Sequence, residues 1–420
     1  MDLEQDSRNK HAQTLIVAAC FAMVFVCLGF CSSNKSIYLA AITKALGIKR
    51  SLFSINDSCR YVATAVVNVF FGRLIAKNGP RRLVCAGFLC LTASMLIYAR
   101  AENVAAFCVG GVFLGVGLAW TTTTMVSFLT NVWFRKKRGT VNGLILCANG
   151  LGGALAAQIL TPIIYAPEDP FSFRKAYLLV AGILFVIGIP VTLIIREPEK
   201  TSAGLNEEKK RKEGKDWKGL SFREVAGIPH FFLYALCIFL TGMSLQGING
   251  IAAAHLGDVG IDSGFIALAM SVHSITLSAA KFLSGISYDR AGLKVTLPVC
   301  YLCGILSFLS LFAVGTASAG ALCVILWAVL SSFALPLETV MVPLMTSDLF
   351  GQRHYSQLLG ISVSLITAGF AVGNPAANLI YDMTGTYRPV LLICSALMTA
   401  VMAGLCFLIK ESVRIRRSVV

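Results

Sequence analysis

Apolar runs of 18 or more residues recur along this chain, each long enough to cross a hydrocarbon core of about 30 Å. In so dry a medium the backbone must satisfy its own hydrogen bonds, and a helix does so within one segment. The runs therefore read as membrane-spanning helices. Composition agrees. Charged residues make up 14% of the chain and hydrophobic ones 56%, with a mean hydropathy of +0.75, whereas a soluble chain carries about 25% charged residues. Twelve spans fit, at about 14–42, 52–75, 83–99, 104–131, 139–165, 174–195, 230–254, 263–287, 294–315, 319–347, 356–380 and 387–409. The opening MDLEQDSRNKH leads into an apolar run with no small-residue cleavage site after it, so that run is expected to be a retained helix.

One polar stretch interrupts the pattern. Residues 196–229, REPEKTSAGLNEEKKRKEGKDWKGLSFREVAGIP, hold nine Lys/Arg and seven Asp/Glu in 34 residues. Such a segment stays solvated. It divides the chain into an expected first six-helix bundle with its tail (1–195), a charged cytoplasmic linker (196–229) and a second bundle with its tail (230–420). With both termini on the linker's side, 26 Lys/Arg fall on that side and 7 on the other, residues at span ends being counted with the adjoining loop. That bias predicts cytoplasmic termini. It also accounts for the net charge of +15 without a nucleic-acid partner. The Cys300-x-x-Cys303 pair has no second CxxC and no His cluster, so no metal or other cofactor is expected. The remaining cysteines lie mostly singly in apolar segments, as small hydrophobes.

Charges inside the spans are the candidates for chemistry, because each is costly there and tends to face a cavity. Lys35 lies in the outer part of the first span, within CSSNKSIY; it either faces a cavity or snorkels to the interface. Asp57 and Arg60 share one helical turn of the second span and either neutralise each other or act on a solute. Span 5 carries Asn149, Gly150, Gly152, Gly153 and Gln158, a small and polar face that suits a packing seam. Gln246 and Asn249 stand among Gly242, Gly247 and Gly250 in span 7, which suggests a broken or pore-facing helix. Span 8 holds His273 and Lys281, and span 10 holds Glu338 between Pro336 and Pro343. A carboxyl at that depth is disfavoured as a bare anion. It is a candidate proton carrier, a partner of Arg60 or Lys281, or incidental.

The halves repeat. GRLIAKNGPRR (Gly72 to Arg82) and GISYDRAGLK (Gly285 to Lys294) both fall between the second and third spans of their halves. They pair Gly72 with Gly285, Lys77 with Arg290 and Gly79 with Gly292. WFRKKRGTVNG (Trp133 to Gly143) and LFGQRHYSQLLG (Leu349 to Gly360) both fall between the fourth and fifth. The class implied is an all-α polytopic membrane protein whose twelve transmembrane helices form two pseudo-symmetric six-helix bundles, with a site between them at mid-membrane.

Gly285, Asp289, Arg290 and Gly292 fit G-x-x-x-D-R/K-x-G, which resembles the turn signature of the major facilitator superfamily; the first-half copy has Ala76 in place of the Asp. The resemblance covers the whole chain. Lys35-Ser36-Ile37 is similar to the Lys-Ser-Ile of animal monocarboxylate transporters, and Lys281 sits where that branch and the oxalate/formate antiporters place a substrate-binding Arg. FRKAY (Phe173 to Tyr177) and YDMTGTY (Tyr381 to Tyr387) are also similar to that branch. Two departures stand out: Leu277 replaces the branch's Asp, and span 11 has no Lys. The resemblance implies the major facilitator fold and a gating role for Gly285, Asp289, Arg290 and Gly292, with Gly72, Lys77 and Gly79 in the first-half copy.

Together these features give a secondary transporter of a small organic anion, a monocarboxylate or dicarboxylate, working by alternating access with proton symport or anion exchange. Lys35, Lys281, Arg60, Gln246 and Asn249 are the expected substrate contacts, and Glu338, Asp57 and His273 the expected coupling groups. The expected partners are that anion, protons or a counter-transported anion, and the bilayer of the cell membrane, with the monomer as the working unit. A carrier of neutral or amphiphilic solutes is the alternative, and a non-transporting solute sensor a weaker one. No nucleophile–base spacing or phosphate loop points to an enzyme.

Overall fold

The computed structural model describes residues 2–33, 35–48, 50–134, 136–164, 171–196, 227, 229–314 and 320–418. The first half contains α1 (Asp2–Val24), α2 (Lys35–Leu46), α3 (Arg50–Val69), α4 (Phe71–Arg100), α5 (Val104–Thr121), α6 (Thr123–Trp133), α7 (Arg138–Ile164) and α8 (Phe173–Ile194). The second contains α9 (Pro229–Asp258), α10 (Ser263–Ala291), α11 (Leu293–Ala313), α12 (Gly320–Ala334), α13 (Val342–Phe350), α14 (Tyr355–Thr384) and α15 (Arg388–Ser418). Short π-helical segments follow α1 (Phe25–Phe30) and precede α13 (Leu337–Met341). No strand occurs among the described residues. Most of the 196–229 linker lies outside them.

Among the described residues, eleven segments are long and apolar enough to cross a membrane. The remaining crossing of the twelve expected is α3, continued by the start of α4; Arg50, Asp57 and Arg60 keep it below the apolar measure. α3 packs on α5 within its half and on α14 of the other half, so its polar face is covered by protein. Several crossings are made of two pieces. The fourth is α5 plus α6, broken at Thr122 (φ −128°, ψ −135°). The tenth is α12, the π segment and α13, broken at Leu335–Pro336, where proline removes a backbone donor. Counting eleven residues back from Trp133 and from Leu349 reaches Thr122 and Glu338, so the break at Thr122 is level with a position inside the second π segment, just past the Leu335–Pro336 break.

The repeated turn is visible in the backbone itself. Gly79 has φ 72° and ψ 166°, and Gly292 has φ 74° and ψ 176°. Only glycine adopts this region without strain, which is why both copies of the turn carry it. Of the two expectations for span 7, broken or pore-facing, the first is not met: α9 is continuous, and its glycines serve packing instead of a break. A Cβ at Gly242 would overlap the Ile366 carbonyl, and one at Gly369 or Gly373 would overlap the α9 backbone, so α9 and α14 lie backbone against backbone.

The halves meet in the same manner. A Cβ on Gly285 would collide with the Gly139 backbone, one on Gly143 with the Lys281 carbonyl, and one on Gly150 with the Ser278 hydroxyl, along α7 and α10. The mirror contact joins α4 and α3 to α14, where Gly72 meets the Gln357 backbone and Gly360 the Asn68 carbonyl. Gly72 and Gly285, paired from sequence, therefore occupy equivalent places in two equivalent seams. Because the two turns share one conformation, Gly79→Ala and Gly292→Ala are each expected to destabilise the protein by about 1–3 kcal/mol. Thermal unfolding of the purified variants checks this; a loss at one position only would break the equivalence.

Candidate functional site

At the end of the bundle carrying the turns at Gly79, Lys137, Gly292 and Gly351 (the turn end), polar contacts cross between the halves. Asp289, at the end of α10, accepts hydrogen bonds from the backbone N–H groups of Gly139 (3.0 Å) and Thr140 (2.6 Å), the first turn of α7. A carboxylate there satisfies donors that a helix N-terminus leaves open and meets the positive end of its dipole. Ala76 stands at the matching place in the first half, so this contact has no mirror copy. Arg290 and Lys77 are exposed.

The seal has further members that the sequence did not single out. Asn131 donates to Gln352 (2.6 Å) and Arg138 to Ser347 (3.5 Å) across the halves, while Tyr288 donates to Asp348 (2.9 Å) within the second half. Their signal in the sequence is position alone: Asn131, Arg138 and Gln352 lie in or beside the paired turns. Asp289→Asn keeps the shape and weakens the charge-assisted bonds. The expected outcome is a severalfold change in transport rate with equilibrium solute binding little altered, checked by comparing uptake rates with binding isotherms.

Deeper in the bundle, Arg60 is 4% exposed. Its guanidinium donates to Ser32 Oγ (2.7 Å), lies 3.6 Å from Asp57, and covers the ring of Tyr61 at 4.2 Å. Tyr61 in turn meets Phe370 of α14 edge to face at 5.6 Å. The Asp57–Arg60 pair thus forms, with Asp57 partly exposed (42%) and Arg60 enclosed. Ser33, exposed nearby, donates to Asn149 of α7 (2.9 Å), so the polar face of span 5 touches the end of the first π segment.

In the second half Lys281 and Glu338 are 4% and 5% exposed. Among the described residues neither forms an ion pair within 4.0 Å, so the expected alternative of a fixed Glu338 pair with Arg60 or Lys281 is not formed. Arg60 is taken by Asp57 instead. Glu338 Oε2 accepts from Gln246 (3.3 Å), while Oε1 is buried with no partner. Gln246 therefore serves Glu338. Asn249 lines a small cavity within the second half, with Phe308, Trp327 and Ser331. His273 is fixed in the seam between α10 and α12, its Nδ1 near Ala328 O, Ser331 Oγ and Ser332 Oγ (3.0–3.1 Å), its ring stacked on Trp327. The side chain of Lys35, the first residue of α2, lies outside the described residues.

Two six-helix halves, joined at glycine seams, sealed at one end and holding buried charges between them, define a membrane transporter. A family model described as Major Facilitator Superfamily matches residues 19–239 and 234–418, and the chain belongs to that superfamily. It is a secondary transporter, not an enzyme. The uncharacterized MFS-type transporter YcxA of Bacillus subtilis (strain 168) is 22% identical, over 89% of this chain and 90% of its own. Monocarboxylate transporter 12-B of Danio rerio is 23% identical, over 89% of this chain and 82% of its own. Among solved structures, FucP, an E. coli transporter crystallised in the outward conformation, matches with a TM-score of 0.70 at 15% identity, covering 93% of this chain and 98% of that one. That likeness establishes the fold.

Proposed function

We propose that this transporter moves a small organic anion, a monocarboxylate or dicarboxylate, across the cell membrane by alternating access of its two halves. The observation that carries the reading is Lys281: a lysine 4% exposed, with no ion pair among the described residues, whose own carbonyl lies in the seam against Gly143 of the opposite half. A buried cation without a counter-ion costs several kcal/mol. An arriving carboxylate supplies the missing charge, and the compact ammonium accepts it without the strict geometry of a guanidinium. Lys35 of the first half is the proposed second contact. A relative named as a monocarboxylate transporter supports the substrate class.

In this reading the turn end is cytoplasmic, as are both termini, in keeping with the excess of Lys/Arg there. Asp289 holds α10 to α7 while that side is shut and lets go when it opens. Glu338, enclosed and linked to Gln246, is the group placed to take a proton on one side and release it on the other, making the cycle a proton symport; anion exchange is the mode that needs no proton. The protein works as a monomer.

Counterflow of labelled monocarboxylates and dicarboxylates in proteoliposomes tests the proposal. Lys281→Ala and Lys35→Ala are each expected to insert and fold while uptake falls at least about tenfold, the loss of a charge-assisted contact. Normal uptake by both would refute the anion site. For coupling, Glu338→Gln is expected to abolish uptake driven by a pH gradient yet keep exchange of anion for anion. Unchanged pH-driven uptake would take Glu338 out of the coupling.

A further inference from the structure

A small polar cavity lies between the halves at the turn end, beside the Arg138–Ser347 contact. Thr130, Asn131, Arg138 and Asn142 line it from the first half and Ser347 from the second. It has room for about one water-sized occupant, enough for a single-atom ion and too little for an organic solute. Its lining includes buried polar atoms with no partner: Thr130 Oγ1, Asn131 Oδ1 and Asn142 Nδ2. Thr130 is 3% exposed and Asn142 1%. Native structures seldom leave such atoms open unless an occupant meets them. The repeat sharpens the point. The offset that pairs Trp133 with Leu349 also pairs Thr130 with Thr346. Thr346 is bonded to Val342 O, Tyr234 and Ser362. The first-half threonine is left open where its second-half counterpart is satisfied.

Charge selects the occupant. Arg138 donates to Phe134 O (2.9 Å) and to Ser347 Oγ (3.5 Å), and it forms no ion pair within 4.0 Å among the described residues. The nearby carboxylates are engaged elsewhere, Asp289 with Gly139 and Thr140 and Asp348 with Tyr288, and neither lines the cavity. Asn142 Oδ1 accepts from Ser127 (3.3 Å), which leaves the amide N–H groups for the cavity. Ser347 Oγ accepts from Arg138 and Gln352, so its own proton is free. A guanidinium, an amide and two hydroxyls thus bring donors to one small space. A water would suit Asn131 Oδ1, the open acceptor, but would leave the cation uncompensated. We infer that the cavity binds a small monovalent anion of the halide type. Arg138, Asn142 and Thr130 hold it from one half and Ser347 from the other, so the ion ties the halves together while the turn end is shut and departs when it opens. Lys281 does not line this cavity, and the ion acts on the seal whatever solute is carried.

The test is thermal unfolding of the purified full-length transporter in sodium chloride against sodium gluconate at one ionic strength. Gluconate is too large for the cavity, so the general effect of salt cancels. Chloride is expected to raise the unfolding temperature by about 2 °C or more, as a ligand of the folded state does. Thr130→Val keeps the shape and removes one donor, and should need about threefold more chloride for half the shift. Asn142→Asp keeps the acceptor for Ser127 and sets a fixed carboxylate in the ion's place. It should lose the response to chloride. Lys281→Ala should respond as the unmodified protein does. Equal stability in the two salts, the outcome if the cavity holds water alone, would overturn the inference. So would a response that survives in Asn142→Asp or vanishes in Lys281→Ala, since either places the ion elsewhere.

Discussion

A backbone amide in hydrocarbon has no water to bond, so each N–H and C=O of a spanning segment must find its partner within the protein. Two of the helix interruptions are matched by substitutes. At the break above α6, Thr122 Oγ1 bonds Leu118 O (2.6 Å) and Thr121 Oγ1 bonds Gly117 O (2.9 Å). Where the first π segment ends, Leu28 O accepts from the backbone of Ser32 and Ser33 and from the Ser33 hydroxyl. These are costly places to build, and they are not scattered. Ser32 bonds Arg60, Thr122 lies level with Glu338 in the repeat, and Glu338 itself sits in the second π segment. Irregular backbone is tolerated where protein or a solute path surrounds it, so the breaks locate the centre of the molecule independently of the charges.

The same constraint explains how the halves can separate. Seams built of glycine against backbone, as at Gly139–Gly285 and Gly72–Gln357, bring helices together by shape and carry few bonds that must be broken. Several of the bonds that do cross, led by Asp289 to Gly139 and Thr140, lie at one end, while the Ser364 hydroxyl bonds the Ala65 carbonyl further along the α3–α14 seam. The repeat supplies a frame and the substitutions within it supply direction. Four residues before Gly72 stands Asn68, buried and bonded by Thr124, and four before Gly285 stands Lys281. Twelve before, the pair is Arg60 and His273; four after, Ala76 and Asp289. One scaffold used twice thus carries a neutral amide in the first half and a cation in the second at equivalent positions.

Much of this was legible in the residues. Period and hydrophobic length marked the spans, and Gly79 and Gly292 identified the repeated turn, because a positive φ admits little besides glycine. The Asp57–Arg60 pair followed from i,i+3 spacing, which is local. What could not be read was which polar groups meet across helices. Gln246, expected from sequence as a solute contact, also donates to Glu338, 92 residues away; nothing in either neighbourhood fixes that meeting. Span 7 looked broken because glycines both loosen a helix and permit close contact. Only the facing Gly369 and Gly373 show that contact is their use. His273 reads as a titratable group in a membrane, yet Trp327 and two serines of α12 make it part of a seam.

The two charge pairs differ in what a rocking motion does to them. Asp57 and Arg60 sit one turn apart on a single helix, so their 3.6 Å separation travels with α3 and does not change when the halves reorient. Lys281 and Glu338 belong to separate elements, and Glu338 is carried by a crossing interrupted at Pro336, the kind of place where a helix bends. Their separation is free to change with the state of the second half. An anionic solute pairs with Lys281 and leaves Glu338 to be neutralised by a proton; closing the gap empty relieves the two charges with each other. In the proposed symport the loaded form therefore carries the proton on Glu338, and the empty form returns with Lys281 and the carboxylate brought together. The geometry of one gap thus links what the protein binds to which way it can move.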